Sequence, residues 1–491
     1  MFYVTTRASP FLPAIVETKD PANVGQYDLF NIAGPHGVLE SVRRVYTNVL
    51  GGGLLLSDPF NALPNGFLKS FGYYLGVFSA PDLESLHDGG VALNVWPAGI
   101  RRIFSAPLGG LLGAILGVSQ QGQYFTPPQP QPVGGPYPYV SDPNGVFYVP
   151  KSSWKGGLFF TSTQWVKKLI GADVANQAGW RGEGVRAVVI DTGGTHVNPM
   201  TPHLKKRTAV DGNFEDQIGH GEWCASALGG KTSVDNTMTR LQGKPVICEG
   251  VAPNCDLWEI KALDYVMGMG TDFQLLHSLQ MAIDLGADIV SASWGSAETS
   301  QLPEQDPYYK PINTMVQQYN IIFVAASGDS GPGVSPSTPA AVPDALSVGS
   351  INAVGNQQSA FGPAGEVSGF SGRGPTPWGA VYPDTATYGA IIDSAITGWM
   401  RASYEGVPHE YVAIAGTSMS TPIAAGLITL MRQAYKAKVG GTLTTSEIKT
   451  MLSTTGLQYW NQRYKNNDVG WGPINWPIFQ QYMQEKYGVT V

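Results

Sequence analysis

Between residues 164 and 326 the sequence repeats one rhythm, and that rhythm limits the fold more than any other feature. A helical pattern in QWVKKLIGADVANQAG leads to the apolar run VRAVVI (185–190). DLWEIKAL (256–263), the helical DFQLLHSLQMAIDLG (272–286), DIVSAS (288–293), a helical stretch near 311–319 and IIFVAA (321–326) follow in turn. A strand that is apolar on both sides must be covered on both faces, and apolar runs alternating with amphipathic helices predict an α/β fold with a mainly parallel central sheet. Reacting groups in such sheets gather beyond the carboxyl ends of the strands. Asp191, Ser293 and Asp329 all fall at such ends.

The chain has 491 residues, enough for more than one domain. TPPQPQPVGGPYPYVSDPNGVFYVP (126–150) carries eight prolines and no helical period, so it is expected to be extended and to mark a boundary. The expected division is a separate N-terminal unit over 1–125, a Pro-rich linker over 126–163 and the α/β unit over 164–491. In the N-terminal unit, ESVRRVYTNVL (40–50) is expected to be a helix and GVALNVW (90–96) a strand. The Gly-rich run APLGGLLGAILGV (106–118) has 13 residues, too short to span a bilayer, and is expected to be buried core.

Only 14% of residues are charged, while 61 Gly and 36 Pro make about a fifth of the chain. A surface poor in charge suits an acidic habitat or a loop-rich β-containing chain. The net charge of −7 provides no basic footprint for nucleic acid. Three cysteines, Cys224, Cys248 and Cys255, make no disulfide framework and no metal-binding spacing, although a Cys248–Cys255 bridge is open. MFYVTTRASPFLPAIVETKD lacks the basic start and continuous apolar core of a signal peptide.

Three short stretches carry chemistry. VVIDTGG sets Asp191 after a strand, GHGEWCASALGG sets His220 at a Gly-flanked helix start, and AGTSMSTPIAAG sets Ser418 at the opening of a long apolar helix. A hydroxyl is a poor nucleophile until a base takes its proton, and the base needs a carboxylate to fix its tautomer. Acid, imidazole and hydroxyl in this chain order form one of the known arrangements of the nucleophilic triad.

Over roughly residues 164–480 the sequence resembles the subtilisin-like serine peptidases. AVVIDTGGTHVNP resembles the family's Asp motif, with a non-catalytic His196. GHGEWCASALGG resembles the His motif, with Glu222 and Trp223 where Thr-His is usual, and GTSMSTPIAAG matches the Ser motif residue for residue. GVAPNCDLWEIKAL, ADIVSASWGS, VAASGDSGPG and VSGFSGRGP follow in the family's order. The resemblance implies a subtilisin-like fold and a serine endopeptidase, with Ser418 as nucleophile, His220 as general base and Asp191 orienting it.

It also implies that the AASGDSG block supplies a side-chain donor to the oxyanion, normally an Asn. Asp329 stands there, as in the acid-acting sedolisins, which resemble this chain in the SASWG and SGDSG phrasing but use Glu in place of His220. A carboxyl donates only when protonated, so burial beside an apolar wall is expected to raise the pKa of Asp329. A mildly acidic optimum is expected, where protonated Asp329 and neutral His220 overlap. Glu222, two positions past His220 on a helix, would point about 200° away, which favours a rim or supporting role over that of base.

By resemblance, Ser293, Trp294 and Gly295 with Ala325, Ala326, Ser327 and Gly328 would run beside the substrate backbone and wall its primary side-chain pocket. The Ser418 amide would be the second oxyanion donor. The N-terminal unit matches, by position and length, the propeptide such enzymes carry. It would be an α+β domain acting as an intramolecular inhibitor, cut between about 126 and 163, or else a permanent accessory domain. Polypeptides are the expected substrates, with no nucleic acid partner and no membrane span. The expected location is extracellular or cell-surface, with an intracellular one as the alternative. No cofactor is expected for catalysis. Structural calcium is possible without an assignable site, NQRYKNNDVGWG (461–472) being the one oxygen-rich candidate.

Two other functions fit parts of the pattern. Asp-Thr-Gly at Asp191, with a near-match at Asp384, resembles the pepsin-like aspartic peptidases, which need two carboxylates sharing a proton. A protein keeping the fold only for binding or assembly would not need all three triad residues.

Overall fold

The computed structural model describes residues 11–18, 67–68, 70, 73–79, 92–97, 100–103, 136–149, 158–195, 198–209, 213–263, 268–296, 299–355, 361–398, 403–404 and 407–491. The expected helix at 40–50, the apolar run 106–118 and His196 lie outside them.

Seven strands form the central sheet, in the order Thr385–Ala390, Leu346–Asn352, Ile322–Ala326, Ile289–Ala292, Arg186–Asp191, Asp256–Lys261 and Lys205–Thr208. Every pairing is parallel. Successive side chains of a strand point to opposite faces, and both faces here are core. Ala187 and Val189 pack in the cluster that holds helices His220–Gly229, Thr417–Lys438 and Trp476–Tyr487. Val188 and Ile190 pack in the one that holds helices Asp272–Asp284 and Tyr309–Tyr319. The α/β expectation therefore holds, with helices on both sides.

Three of the strands were not legible as apolar runs. Lys205–Thr208 is an edge strand alternating between exposed and half-buried positions, so its KKRT sequence has no need of apolar residues. The expected helix after residue 163 is two helices, Thr163–Leu169 and Ala172–Gln177, divided at Gly171, where φ is 71°.

Part of the Pro-rich stretch belongs to this body. Tyr137 is buried and its amide donates to Gly365 O, and Phe147–Val149 pairs with Leu158–Ser162. The three cysteines are free and buried, so the Cys248–Cys255 bridge does not form.

The N-terminal strands form an antiparallel sheet in the order Phe67–Leu68, Tyr73–Ser79, Phe11–Thr18, Ala92–Pro97. Gln280, on helix Asp272–Asp284, grips Ser70 twice, accepting from its amide and donating to its Oγ, both at 2.9 Å. The next strand, Ile100–Ile103, leaves that sheet and pairs between Met269–Thr271 and Trp294–Gly295.

Candidate active site

Asp191 is the last residue of its strand, and its carbonyl is held by the amides of Ala262 and Leu263 at 2.8 and 3.2 Å. His220 opens its helix and sets Nδ1 2.7 Å from Asp191 Oδ1, both side chains fully buried. The carboxylate oxygen accepts, so Nδ1 carries the hydrogen and Nε2 is the basic nitrogen. The flanking glycines follow from the packing. Gly219 has φ 108°, and a Cβ on Gly221 would lie 2.1 Å from Glu259 Oε1 and 2.3 Å from Gly193 O.

Ser418 lies in the first turn of the helix Thr417–Lys438. Pro422, four residues on, has no N–H to give to the Ser418 carbonyl. That carbonyl is held from outside the helix instead, by Ser293 Oγ at 3.0 Å and Cys224 Sγ at 3.6 Å. Ser418 Oγ in turn donates to Ser293 O at 2.8 Å. Cys224 Sγ is also 3.8 Å from His220 Nδ1, so one sulfur touches the imidazole and the backbone of the serine. The structure thus gathers Asp191, His220 and Ser418 beyond the carboxyl ends of the sheet.

Asp329, half-buried, follows the strand Ile322–Ala326 by three residues and binds the residue before Ser418. Its Oδ1 accepts from Thr417 N and Thr417 Oγ1, each at 2.8 Å. Gly328 N donates to Thr417 Oγ1 at 3.1 Å. The Asp329 carboxyl therefore sits against the helix start that presents the serine.

Three further carboxyls lie buried behind Asp191 and His220. Asp216 Oδ1 accepts from the Gly219 and Ile218 amides at 2.7 and 2.9 Å and from Thr192 Oγ1 at 3.0 Å, while Oδ2 accepts from Glu222 N at 2.9 Å. Glu259 Oε1 accepts from Gly193 N at 3.0 Å. Glu222 accepts from Thr195 N at 2.7 Å and from the Thr201 hydroxyl. A Cβ on Gly194 would be 2.8 Å from Glu259 Oε2 and 3.5 Å from Glu222 Oε2, so these two carboxyls converge there. Together they tie the loop after Asp191 to the helix of His220. Burial pushes Glu222 up to about 7. It pushes Glu259 well above the usual carboxylate range, reinforced by the charges of Asp216, Asp191 and Glu222. Asp216 is raised by burial first.

Glu222 is therefore no rim residue; it is fully buried and supports the Asp191 loop. Asp216 and Glu259 were missed in the sequence, although an acid inside the apolar run DLWEIKAL was a visible signal.

The residues expected along the substrate divide. Ser293 touches Ser418, and the Trp294–Gly295 backbone borders the strand Ile100–Ile103. The Trp294 side chain does not wall a pocket. It is fully buried in the core beside Tyr308, ring centroids 5.6 Å apart. Ala325 belongs to the same core, and Ala326 is buried in its strand, since side chains of an inner strand are covered on both faces. Ser327 Oγ donates to Gly372 O at 3.2 Å, and Ser327 O accepts from Tyr382 OH at 2.8 Å.

The aspartic-peptidase pairing is excluded by topology. Asp384 precedes the strand Thr385–Ala390, whereas Asp191 ends a strand parallel to it, so they lie at opposite edges of the sheet. Asp384 is engaged by Lys449 and Lys465 at 3.0 and 2.7 Å, which hold its carboxyl below the usual range against its burial. In the oxygen-rich C-terminal stretch, Asn466 Oδ1 accepts from the amides of Asp468 and Val469, and Asp468 pairs with Arg373 at 3.0 Å. Asn466 Oδ1 and Asp468 are thus engaged by the chain's own donors. Among the described residues, one group of possible metal ligands has its atoms within 4.8 Å of one another, Asp191, His220 and Cys224. Two of these three already bond to each other. No helix among the described residues is long and apolar enough to cross a membrane.

A family model described as "Subtilase family" matches residues 182–472, more than half of the chain. Over 276 residues the sequence is 27% identical to the membrane-bound transcription factor site-1 protease of Homo sapiens, covering 54% of this chain and 22% of that protein. It is 29% identical over 279 residues to an alkaline protease of Alkalihalobacillus alcalophilus, covering 55% of this chain and 60% of that protein. Pyrolysin of Pyrococcus furiosus is 28% identical over 250 residues, covering 46% of this chain and 17% of that protein. The match thus spans about a fifth of the site-1 protease and three fifths of the alkaline protease.

Proposed function

Given that the chain belongs to the subtilase family, we propose that it is a serine endopeptidase acting through an acyl-enzyme on Ser418. The observation that carries this reading is the 2.7 Å bond between His220 Nδ1 and Asp191 Oδ1, with Ser418 held beside it by Ser293 and Cys224. Asp191 fixes the tautomer in which Nε2 is the base, and it stabilises the imidazolium that forms. Ser418 Oγ turns its hydrogen from Ser293 O towards Nε2 and attacks the peptide carbonyl. The proton then passes to the leaving amine, and water hydrolyses the ester.

The negative oxygen of the tetrahedral intermediate would be stabilised by the Ser418 amide and by Asp329 carrying a proton on Oδ2. A donor of this kind contributes on the order of 10²–10³ in rate. A protonated Asp329 and a neutral His220 coexist best on the acid side of neutrality, hence an acid-shifted optimum. The N-terminal unit would serve as an intramolecular inhibitor, and action outside the cell or at its surface completes the reading.

The test is peptide hydrolysis against pH for the wild type and Ser418→Ala, with labelling by a serine-directed reagent. The wild type should hydrolyse peptides and be labelled at Ser418, and the variant should do neither. An unlabelled, inactive wild type would leave a binding or assembly role.

A further inference from the structure

Away from the site described above, three titratable side chains meet in the interior beside the strand that leads to the serine. Asp235, Asp393 and His409 are each no more than 2% exposed. Asp235 follows the short strand Ser233–Val234 and caps the helix Asn236–Gln242, its Oδ1 accepting from Met238 N at 2.9 Å. Asp393 lies in the strand Ile392–Ala395, which pairs with Tyr411–Ile414 so that Asp393 opposes Ala413. His409 stands just ahead of that second strand, which ends four residues before Ser418. Both strands are bound to the helix that opens with His220. Trp223 Nε1 donates to Val412 O at 3.1 Å, and Ser226 Oγ meets Ser394 Oγ at 2.8 Å. Side chains alternate along a strand, so Ser394 turns to that helix and Asp393 turns away from it, towards Asp235.

The contacts fix how many protons the three groups carry. His409 Nδ1 faces the Tyr411 carbonyl, and Nε2 faces Asp235 Oδ1 at 3.2 Å. A neutral imidazole offers one N–H and one lone pair, so a ring with an oxygen at each nitrogen is satisfied only as the imidazolium. Asp235 Oδ2 is buried and receives no N–H or hydroxyl, and the Asp393 carboxyl lies in hydrogen-bonding contact with Asp235. Two carboxyls bond only through a proton. Three buried side chains therefore hold two protons, and their charges sum to zero. The other titratable groups bearing on them leave this balance intact. Cys248 donates to Asp393 O at 3.4 Å and to Oδ2 at 3.5 Å, and Tyr411 OH donates to Ser233 Oγ at 2.7 Å. Burial raises both the thiol and the phenol, which stay neutral. Ser162, the parallel neighbour of Asp393, is uncharged, and the exposed Glu410 favours the charge on His409.

We infer that Asp235, Asp393 and His409 are positioning residues that form a proton-held latch, fastening the strand Tyr411–Ile414, and through it Ser418, against the His220 helix until rising pH removes a proton. Removing either proton leaves an uncompensated charge in the interior, which is strongly destabilising. Burial, with the charge of Asp235, holds Asp393 well above the usual carboxylate range. Burial opposes the charge on His409, but Asp235 and the Tyr411 carbonyl outweigh it and raise its pKa. Both groups thus bind protons more tightly in the folded chain, so the stability they supply is present in acid and is lost as pH rises through their folded values. The effect on rate rests on the peptidase reading; the latch itself does not.

The experiment measures amide hydrogen exchange in the full chain and in an Asp393→Asn chain, comparing Tyr411–Ile414 with Ile289–Ala292 of the central sheet so that changes in global stability cancel. Between about pH 5 and 8, the wild-type Tyr411–Ile414 amides should lose at least about tenfold of their relative protection, the factor of one displaced pKa unit. Asp393→Asn sets an amide donor against Asp235 with no proton to lose, so it should be better protected than the wild type at the upper pH. In peptide hydrolysis, the ratio of kcat in Asp393→Asn to kcat in the wild type should rise over the same range with KM little changed. Asp329 is common to both chains, so its own pH dependence cancels in that ratio. Relative protection that does not change with pH, or an Asp393→Asn chain no better protected than the wild type, would overturn the latch. Protection as expected with a flat kcat ratio would overturn its link to Ser418. No hydrolysis by either chain at any pH would overturn the peptidase reading, and exchange alone would then decide the latch.

Discussion

The amide and the hydroxyl of Thr417 converge on one oxygen of Asp329, each 2.8 Å from Oδ1. Two donors fix the plane of that carboxyl and reserve Oδ1 as an acceptor, so a proton carried by Asp329 belongs on Oδ2. Asp329→Asn would keep the acceptor and put an amide donor where the proton had been. On the reading proposed above, in which Asp329 donates only when protonated, the wild-type rate should fall with rising pH, by on the order of 10²–10³ in full. The Asn variant should lack that fall and stay active further into the alkaline range. Profiles of kcat/KM against pH measure this, and superimposable curves would exclude Asp329 as a donor.

Ser293→Ala removes the hydroxyl that holds the Ser418 carbonyl, which Pro422 leaves without a helical donor. A buried carbonyl losing a partner costs about 1–3 kcal/mol, and kcat should fall more than KM changes. Adding Pro422→Ala returns an N–H to that carbonyl and should recover part of the lost stability in urea unfolding. A double variant no more stable than Ser293→Ala would count against this account.

Glu222 has its pKa raised to about 7 from an ordinary value of 4.5, by burial first. A carboxyl raised on folding binds more protons in the folded state between those two values, so stability falls as pH rises through that window. The loss from this group is about 3 kcal/mol. Glu222→Gln should flatten the dependence between pH 4.5 and 7, as read from unfolding free energies at each pH. An unchanged slope would mean that Glu222 stays ionised throughout.

Trp294→Ala should act on the core and not on specificity. The indole is fully buried against Tyr308, so its loss should destabilise by about 3–5 kcal/mol. The preference for the residue before the scissile bond should stay the same. A changed preference in a peptide-library assay would show that the ring reaches the groove.

The thiols of Cys224, Cys248 and Cys255 are buried and raised by that burial, Cys255 to about 12. The thiolate is the reactive form. A thiol-specific chromogenic reagent should find none of the three in the native chain and all of them after denaturation. Rapid native labelling at any one would contradict the packing.

The sequence by itself determined the layered sheet and the three residues at its carboxyl edge. Asp191, His220 and Ser418 each sit in a local pattern whose meaning does not depend on distant partners: a strand end, a glycine-flanked helix start, a helix opening. The apolar runs announced both covered faces because a parallel strand has no wet side. What the tertiary structure alone decided is what lies across from what. Trp294 turns into the core because its strand has a buried side there. Glu222 and Glu259 meet at Gly194 from a helix and a strand far apart in the chain. Ile100–Ile103 finds its neighbours about 170 and 190 residues on. Periodicity reports which face of an element is apolar, whereas which remote segment lies opposite it, and in what register, depends on how buried faces pack against one another, which no local stretch of sequence encodes.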